Sequence, residues 1–247
     1  MKKYTPAIII SIVLLLVWEV LARYINAMYI LPSPSKIIEE TIKFRNVLFT
    51  VHLKATLSVT IIGLFIAVIL GVGLAISMDL NKSLERALYP LVVATQTVPI
   101  TALAPLFVLW FGYGIWSKVI VTVLITFFPI TVNVYDGFKS TKREMEELLL
   151  TYGASKKDIF IKLKLPSSLP YFFSALKMTV PISLIGAAIG EWLGAQAGLG
   201  YFSKRMMTQL NGAGVFAPIL ILSLIAIVLV FIVNILENNL IKLRSEI

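Results

Sequence analysis

Six long apolar stretches divide the chain, and shorter polar segments separate them. They cover residues 6–21, 57–76, 91–111, 116–135, 172–192 and 216–236. A helix that crosses a bilayer needs about 20 mostly apolar residues. The pattern therefore predicts an all-α, polytopic membrane protein with about six transmembrane helices, in which residues 1–247 form a single domain.

The composition supports lipid as the surrounding solvent. Hydrophobic residues make up 58% of the chain and charged residues 14%, whereas a soluble domain has about 45–50% and about 25%. The chain has no cysteine and one histidine, His52, which excludes disulfide or thiolate chemistry and any site with two imidazoles. The net charge of +9 indicates cytoplasmic loops and lipid head groups rather than nucleic acid.

The basic residues also predict an orientation. Lys2 and Lys3 precede the first apolar stretch, as in a signal peptide, but no clear cleavage site follows, so a retained anchor is favoured. Lysine and arginine are more frequent in the segments that are cytoplasmic when both termini are inside. Outside, residues 31–35 should form an extended turn, with Ser35 as the N-cap of a short helix over residues 36–44.

The longest predicted cytoplasmic loop, about residues 136–166, contains two helix signals. Thr141 and Glu144 have the spacing of a capping box, and one apolar face follows at Met145, Leu148, Leu149 and Tyr152. Gly153 should end this helix. Ser155 and Asp158 give a second capping signal, followed by apolar Ile159, Phe160 and Leu163, and Leu165-Pro166 should end the second helix.

Two interpretations of this helical hairpin are open. It could lie on the lipid surface, which the lysines of its second helix would suit. It could instead dock onto a protein partner, which the three glutamates Glu144, Glu146 and Glu147 favour because an anionic leaflet would repel them. The pattern favours docking.

The loop also resembles a known motif. The run from Glu147 to Gly153, then nine residues, then Leu163-Lys164-Leu165-Pro166 is similar to the loop motif of ABC importer permeases. That motif has Glu-Ala-Ala, three residues, Gly, nine residues, Ile, one residue and Leu-Pro. Leu148 and Leu149 stand in place of the two alanines, and leucine is also a good helix former.

The resemblance extends along most of the chain. Residues 31–34, 96–99 and 104–112 are similar to segments of permeases for taurine, alkanesulfonates, nitrate and thiamine-precursor pyrimidines. Residues 190–201 look closest to the thiamine-precursor branch. The resemblance therefore implies import of a small polar solute. A thiamine-precursor pyrimidine is the preferred candidate for this solute, and a sulfonate, taurine or nitrate is the alternative.

The resemblance implies a division of labour. The permease would work by alternating access in the bacterial inner membrane. It would form a dimer, with a homodimer as the preferred expectation. Its partners would be two ATPase subunits and an external binding protein or lipoprotein. ATP and Mg would be bound by the ATPase, and the chain has no phosphate-binding loop sequence. It would hold no cofactor or metal and would not be an enzyme. By analogy, the ATPase-docking residues are Glu147, Leu148, Leu149, Gly153, Ala154, Leu165 and Pro166.

Polar groups and prolines in or near the spans are candidates for the substrate pathway, because intramembrane polar groups tend to face the bundle interior. The candidates are Gln96, Thr97, Pro99, Thr101, Asn133, Glu191 and Gln196. These candidates also have simpler interpretations. Pro99 could serve only to shape helix packing, and Asn133 could simply be in contact with water. Glu191 could be a solvated loop residue near the outer boundary. Gly63, Gly71 and Gly73 should mark close helix packing.

Three other functional classes compete with an importer. A proton-coupled secondary transporter would need a carboxylate buried in mid-span, and none is evident, although a sodium site can be built from carbonyls. An intramembrane enzyme would need a nucleophile–base pair or a metal cluster, and a channel a filter or charged ring. Dependence on a separate ATPase distinguishes the importer from all three.

Overall fold

The computed structural model describes residues 5–245, with side chains as far as residue 240. Four basic side chains used in the orientation argument, Lys2, Lys3, Lys242 and Arg244, lie outside the described residues. Within the described part the chain folds into helices and connecting turns. They are α1 (Thr5–Ile25), α2 (Pro34–Lys43), α3 (Arg45–Leu80), α4 (Lys82–Thr97), α5 (Ile100–Phe111), α6 (Ile115–Lys139), α7 (Arg143–Thr151), α8 (Lys156–Gly194), α9 (Leu199–Thr208) and α10 (Gly212–Ser245).

Five of these helices, α1, α3, α6, α8 and α10, are long and apolar enough to cross a membrane. The pair α4 and α5 passes the same test jointly but is bent by 97° between its two halves. The predicted count of about six is confirmed when this pair is taken as one span. The apolar stretch over residues 91–111 is therefore divided by a bend.

The bend follows from local backbone chemistry. Pro99 sterically disfavours helical geometry in the residue before it, and Val98 is extended, with φ −86° and ψ 120°. Pro105, Pro129 and Pro181, which also occur within the predicted apolar stretches, lie inside continuous helices. Pro99 is therefore the proline among these four at which the helix breaks.

The centre of the bundle consists of α3, α6 and α8. Ala67, Met78, Ile130, Phe138 and Ala175 are fully buried there. By contrast, α1 and α10 expose most of their apolar side chains. Exposed apolar surface of this extent on a helix long enough to span a bilayer is suited to lipid or to another membrane subunit.

The bundle has two ends, which are named here by the helices that cover them. The α2 end carries α2 and α9, and the α7 end carries α7 and the start of α8. At the α2 end, Asn211 donates to Glu40 over 3.1 Å, joining the turn before α10 to α2. At the α7 end, Lys139 of α6 is paired with Glu85 of α4 at 3.4 Å.

Helix starts differ from the prediction at two places. The helix α2 begins two residues early, at Pro34, with Ser33 as its N-cap, because proline is well suited to a first helical turn. Ser35 instead donates through its hydroxyl and its backbone N–H to Glu19 of α1. At α7 the N-cap is Lys142, and Thr141 donates to Glu146 at 3.0 Å rather than forming a capping box with Glu144.

The end of the second loop helix was also predicted wrongly. Ser155 and Asp158 do form a reciprocal capping box, but the helix does not stop at Leu165-Pro166. It continues through a π turn over Phe160–Lys164 into the fifth span. The N–H of Leu165 bonds the carbonyl of Phe160 there, and Pro166, which has no N–H, lies in the first turn that follows.

Glycines allow α3 and α6 to approach closely. A Cβ on Gly63 would lie 2.7 Å from Cγ2 of Thr122, and one on Gly71 would lie 2.9 Å from Cγ2 of Ile130. The close-packing interpretation is therefore confirmed for Gly63 and Gly71. It is wrong for Gly73, where a Cβ would meet nothing within 4 Å.

This difference predicts a contrast between two identical substitutions on one helix. Gly63→Ala should overpack the α3–α6 contact and destabilise the protein by about 1–3 kcal/mol, whereas Gly73→Ala should be neutral or slightly stabilising. Thermal unfolding of the detergent-solubilised protein measures both. Equal melting temperatures for the two variants would contradict the close packing at Gly63.

Candidate functional site

The loop helix α7 ends as the sequence predicted. The N–H of Ala154 bonds the carbonyl of Leu149 at 3.0 Å, and the N–H of Gly153 bonds the carbonyl of Leu150 at 2.9 Å. This pair of bonds forms a Schellman motif, which needs a left-handed residue after the helix. Gly153 supplies it with φ +79°, and its Cα faces open space.

The predicted apolar face of α7 is largely unpartnered within this chain. Met145, Leu148 and Tyr152 are exposed, with Tyr152 at 81%, while Leu149 is half-buried. Glu147 is also exposed and pairs with Arg143 at 2.8 Å. A face of this kind on a polar hairpin is typical of a surface that another protein covers.

The remaining predicted docking residues lie close by in sequence but on different elements. Ala154 is half-buried just after the turn, Leu165 is 40% exposed, and Pro166 is half-buried at the start of the spanning part of α8. The structure therefore places the docking candidates at the α7 end of the bundle, on α7, in the turn that follows it and on α8 just after its π turn.

A second group of candidates surrounds the bend between α4 and α5. Gln96 and Thr97 lie in the last, 3₁₀ turn of α4, Pro99 is the N-cap of α5, and Thr101 lies in the first turn of α5. All four are exposed within this chain. Because lipid cannot hydrogen-bond the polar backbone of a break, irregular backbone at membrane depth must face protein or a water-filled cavity.

A large cavity lies beside this bend. Its volume is about 670 Å³, and it is bounded by α5, α8, α9 and α10. Thr101, Ser203 and Ser223 contribute hydroxyl groups to an otherwise apolar wall, and Pro181 and Pro218 also line it. Its volume lies within the range of about 300–1,000 Å³ that is usual for small-molecule sites.

Asn133 is satisfied within its own helix. Its side-chain amide donates to the carbonyl of Pro129 at 2.7 Å, and the residue is half-buried on α6. Asn133 therefore lies toward the α7 end of α6, with its amide bonded within that helix.

Glu191 is not a solvated loop residue. It is 1% exposed, because its carboxylate packs against the turn between α8 and α9. Oε2 accepts the N–H of Gly200 at 2.8 Å, and a Cβ on Gly198 would overlap the carboxylate. Gly198 has φ +128°, so both its conformation and its surroundings require glycine.

Two further polar bonds anchor the same turn to α3. The N–H of Gly198 donates to Nδ1 of His52 at 3.1 Å, and the N–H of Leu199 donates to the hydroxyl of Thr56 at 2.8 Å. His52 therefore accepts at Nδ1, which makes it a structural residue rather than a free loop histidine. These buried backbone donors explain why polar side chains lie in an apolar bundle.

A smaller cavity of about 290 Å³ lies next to Glu191. Gln196, Lys118 and Tyr113 also line it. The Lys118 ammonium is held by the carbonyls of Tyr113 and Gly114, each at 2.7 Å. The structure therefore brings Glu191 and Gln196 to one cavity at the α2 end, which is distinct from the cavity lined by Thr101.

Sequence reasoning missed the polar links between helices. Lys164 pairs with Asp79 at 2.9 Å, and Lys177 of α8 pairs with Glu237 of α10 at 2.5 Å. A lone lysine inside an apolar stretch was the available signal for Lys177, because such a charge needs a partner. The partner helix could not be read from local sequence.

Taken together, a bundle of apolar helices with a broken span and an exposed helical hairpin at one end defines the membrane subunit of a transporter. Residues 63–242 match the family described as binding-protein-dependent transport system inner membrane component. The chain belongs to this family.

Individual relatives cover nearly the whole chain. It is 55% identical over 235 residues to the formylaminopyrimidine transport permease protein ThiX of Halalkalibacterium halodurans. The aligned region covers 95% of this chain and 94% of that protein. It is 26% identical over 244 residues to the taurine transport system permease protein TauC of Escherichia coli, with 96% and 89% covered.

The fold is similar to that of a solved transporter. The MetNI methionine ABC transporter, in an inward-facing conformation, has a chain that superimposes with a TM-score of 0.66 at 18% identity. The match covers 75% of this chain and 92% of that chain. At this identity the likeness establishes the fold.

Family membership decides between the functional classes. The chain is the transmembrane permease subunit of an ABC importer, and it is not an enzyme, because ATP is hydrolysed by a separate ATPase subunit. An ion-coupled secondary transporter, an intramembrane enzyme and a channel are therefore excluded. The family implies a permease dimer with ATPases and a substrate-binding protein in a bacterial membrane.

Proposed function

We propose that this chain forms the membrane pathway of an importer for a thiamine-precursor pyrimidine of the formylaminopyrimidine type. The observation that carries the proposal is the 55% identity over 235 residues to a formylaminopyrimidine permease. The taurine permease is 26% identical over a similar length, which favours the pyrimidine over a sulfonate.

The complex that we propose contains two copies of this chain, two ATPase subunits that bind ATP and Mg, and an external binding protein or lipoprotein. Both chain termini are on the cytoplasmic side. The path of the chain supports this orientation, because α7 and the C-terminal end of α10 then lie on the side of the ATPases.

The proposed docking surface consists of Glu147, Leu148, Leu149, Gly153, Ala154, Leu165 and Pro166. Its support is the exposure of the apolar face of α7 and the left-handed turn that follows it. An ATPase that covered Leu148 and Tyr152 would remove apolar surface from water, at about 25 cal/mol per Å².

The proposed substrate pathway passes the break between α4 and α5. Gln96, Thr97, Pro99 and Thr101 would line it, beside the cavity of about 670 Å³. Glu191 and Gln196 belong to the proposed outer part of the path, where Glu191 holds the α8–α9 turn. For Asn133, a pathway role has the weakest support because its amide is bonded within α6.

Uptake in proteoliposomes tests the substrate. The permease, its ATPase and its external binding protein, supplied with ATP, should accumulate labelled formylaminopyrimidine and exclude labelled taurine. Calorimetric titration of the binding protein alone with both ligands serves as the control for selection before the membrane. Accumulation of taurine, with no uptake of the pyrimidine, would contradict the proposal.

A matched pair of glycine substitutions tests the docking surface. Gly153→Asp adds a charge beside the exposed face of α7, and we expect it to reduce the ATPase recovered with tagged permease by about tenfold, equivalent to about 1.4 kcal/mol. Gly112→Asp is the control, because Gly112 also has a positive φ, +70°, and open space around it, but lies at the α2 end.

The pull-down is carried out from detergent extracts in which both variants are present at equal levels. Equal ATPase recovery with Gly153→Asp and the wild type would place the docking surface elsewhere. A loss with both variants would show that strain at a left-handed residue, and not its position on the hairpin, is responsible.

A further inference from the structure

Three helices meet at one ammonium group at the α7 end of the bundle. The Nζ atom of Lys164 lies 2.9 and 3.2 Å from the two carboxylate oxygens of Asp79. It also lies 3.5 Å from Oε1 of Glu146. Asp79 is the penultimate residue of α3, Glu146 is on α7, and Lys164 is the last residue of the π turn in α8.

Burial distinguishes this cluster from the other ion pairs of the loop. The side chain of Asp79 is 3% exposed and that of Lys164 is 17% exposed. Loss of one partner of a buried pair leaves the other charge uncompensated, whereas exposed pairs contribute little. The neighbouring pair between Lys162 and Asp158, at 3.0 Å, has side chains 71% and 40% exposed.

Glu146 attaches the docking helix to the bundle at this point. Besides Lys164, it accepts the hydroxyl of Thr141 at 3.0 Å, at the end of α6. Glu146 and Leu148 are two residues apart, which places them about 200° apart around a helix at 3.6 residues per turn. The helix α7 therefore contacts the bundle on one face and leaves the opposite face for a partner.

The backbone of α8 is irregular between its hairpin part and its spanning part. Its π turn inserts an extra residue into the helix, and Pro166 removes a backbone donor in the next turn. The side chain of Lys164, at the end of this irregular segment, holds α7 against both α3 and α8.

We propose that Lys164 is a positioning residue that transmits movement of the docked α7 to the spanning helices α3 and α8. The proposal rests on the proposed docking of α7 onto the ATPase. When the ATPase displaces α7, the pairs of Lys164 with Glu146 and Asp79 carry that displacement to two spans of the bundle centre. The link acts on coupling, and not on the binding of ATP.

The test uses the complete complex in proteoliposomes, with permease, ATPase and external binding protein. Lys164→Met should keep ATPase recovery and ATP hydrolysis within about twofold of the wild type, while uptake per ATP hydrolysed falls by about tenfold or more, within the usual range for coupling between two sites. Lys162→Met is the control, since it removes an exposed lysine two residues away, and it should leave both quantities unchanged.

A double variant separates transmission from folding. Asp79→Leu combined with Lys164→Met replaces both buried charges by apolar groups, which proteins often tolerate without loss of stability. We expect it to accumulate, bind the ATPase and hydrolyse ATP, but to transport poorly. Wild-type uptake per ATP by either variant would overturn the proposal, and so would failure of both to accumulate, which would make the pair a folding requirement.

Failure of the docking proposal gives a different result. If the wild-type permease recovers no ATPase, or if Gly153→Asp recovers it normally, the proposal that α7 docks onto the ATPase is wrong. The proposed role of Lys164 in coupling is then wrong as well. If docking holds and uptake per ATP is unaffected in the Lys164 variants, only the role of Lys164 is wrong.

Discussion

The absence of hydrogen-bonding solvent inside the bilayer is the constraint on which this structure depends. Each buried backbone N–H and carbonyl must find a partner in the protein, which accounts for the long continuous helices α3, α6, α8 and α10. Buried hydroxyls follow the same rule, since Thr60, Thr122 and Thr126 each donate to a carbonyl in their own helix. The break at Val98 and Pro99 departs from this rule, and four of the seven pathway candidates, Gln96, Thr97, Pro99 and Thr101, lie at it.

Polar links at the two ends of the bundle complete this arrangement. At the α2 end, Glu191, His52 and Thr56 accept the backbone donors of the α8–α9 turn. At the α7 end, Lys164 joins the hairpin to α3 and α8. The central helices, packed through glycines such as Gly63, lie between the hydrogen-bonded turn at the α2 end and the hairpin at the α7 end. Rigid-body movement of helices driven from the hairpin is the motion that such a construction allows.

The sequence predicted the large features well because they depend on local composition. Apolar length identified the spans, Gly153 marked the end of α7, and Ser155 with Asp158 marked the next start. Errors arose where the chemistry of a single residue competes with a pattern. Pro166 lies in a first helical turn instead of ending a helix, and Pro34 begins α2 two residues before the predicted start.

The candidate site was predicted less completely because it depends on contacts between distant segments. The sequence suggests that Glu191 is a boundary residue, yet the turn that contains Gly198 and Gly200 packs against its carboxylate and buries it. The pairing of Lys164 with Asp79 joins residues from two different helices, which no periodicity reveals. The apolar face of α7 was predictable, since exposure of such a face follows from a short helix with polar residues on its other side.

We propose that the break between α4 and α5 faces an aqueous path. Because the chain has no cysteine, a single Thr97→Cys is the only thiol of the permease that a water-soluble maleimide can label in membranes that contain the whole complex. Phe65→Cys is the control, as Phe65 is an exposed apolar residue of α3 at 65%, in a position suited to lipid. We expect labelling at position 97 and none at position 65, with both positions labelled after denaturation. Labelling at position 65 and protection at position 97 would contradict the proposal.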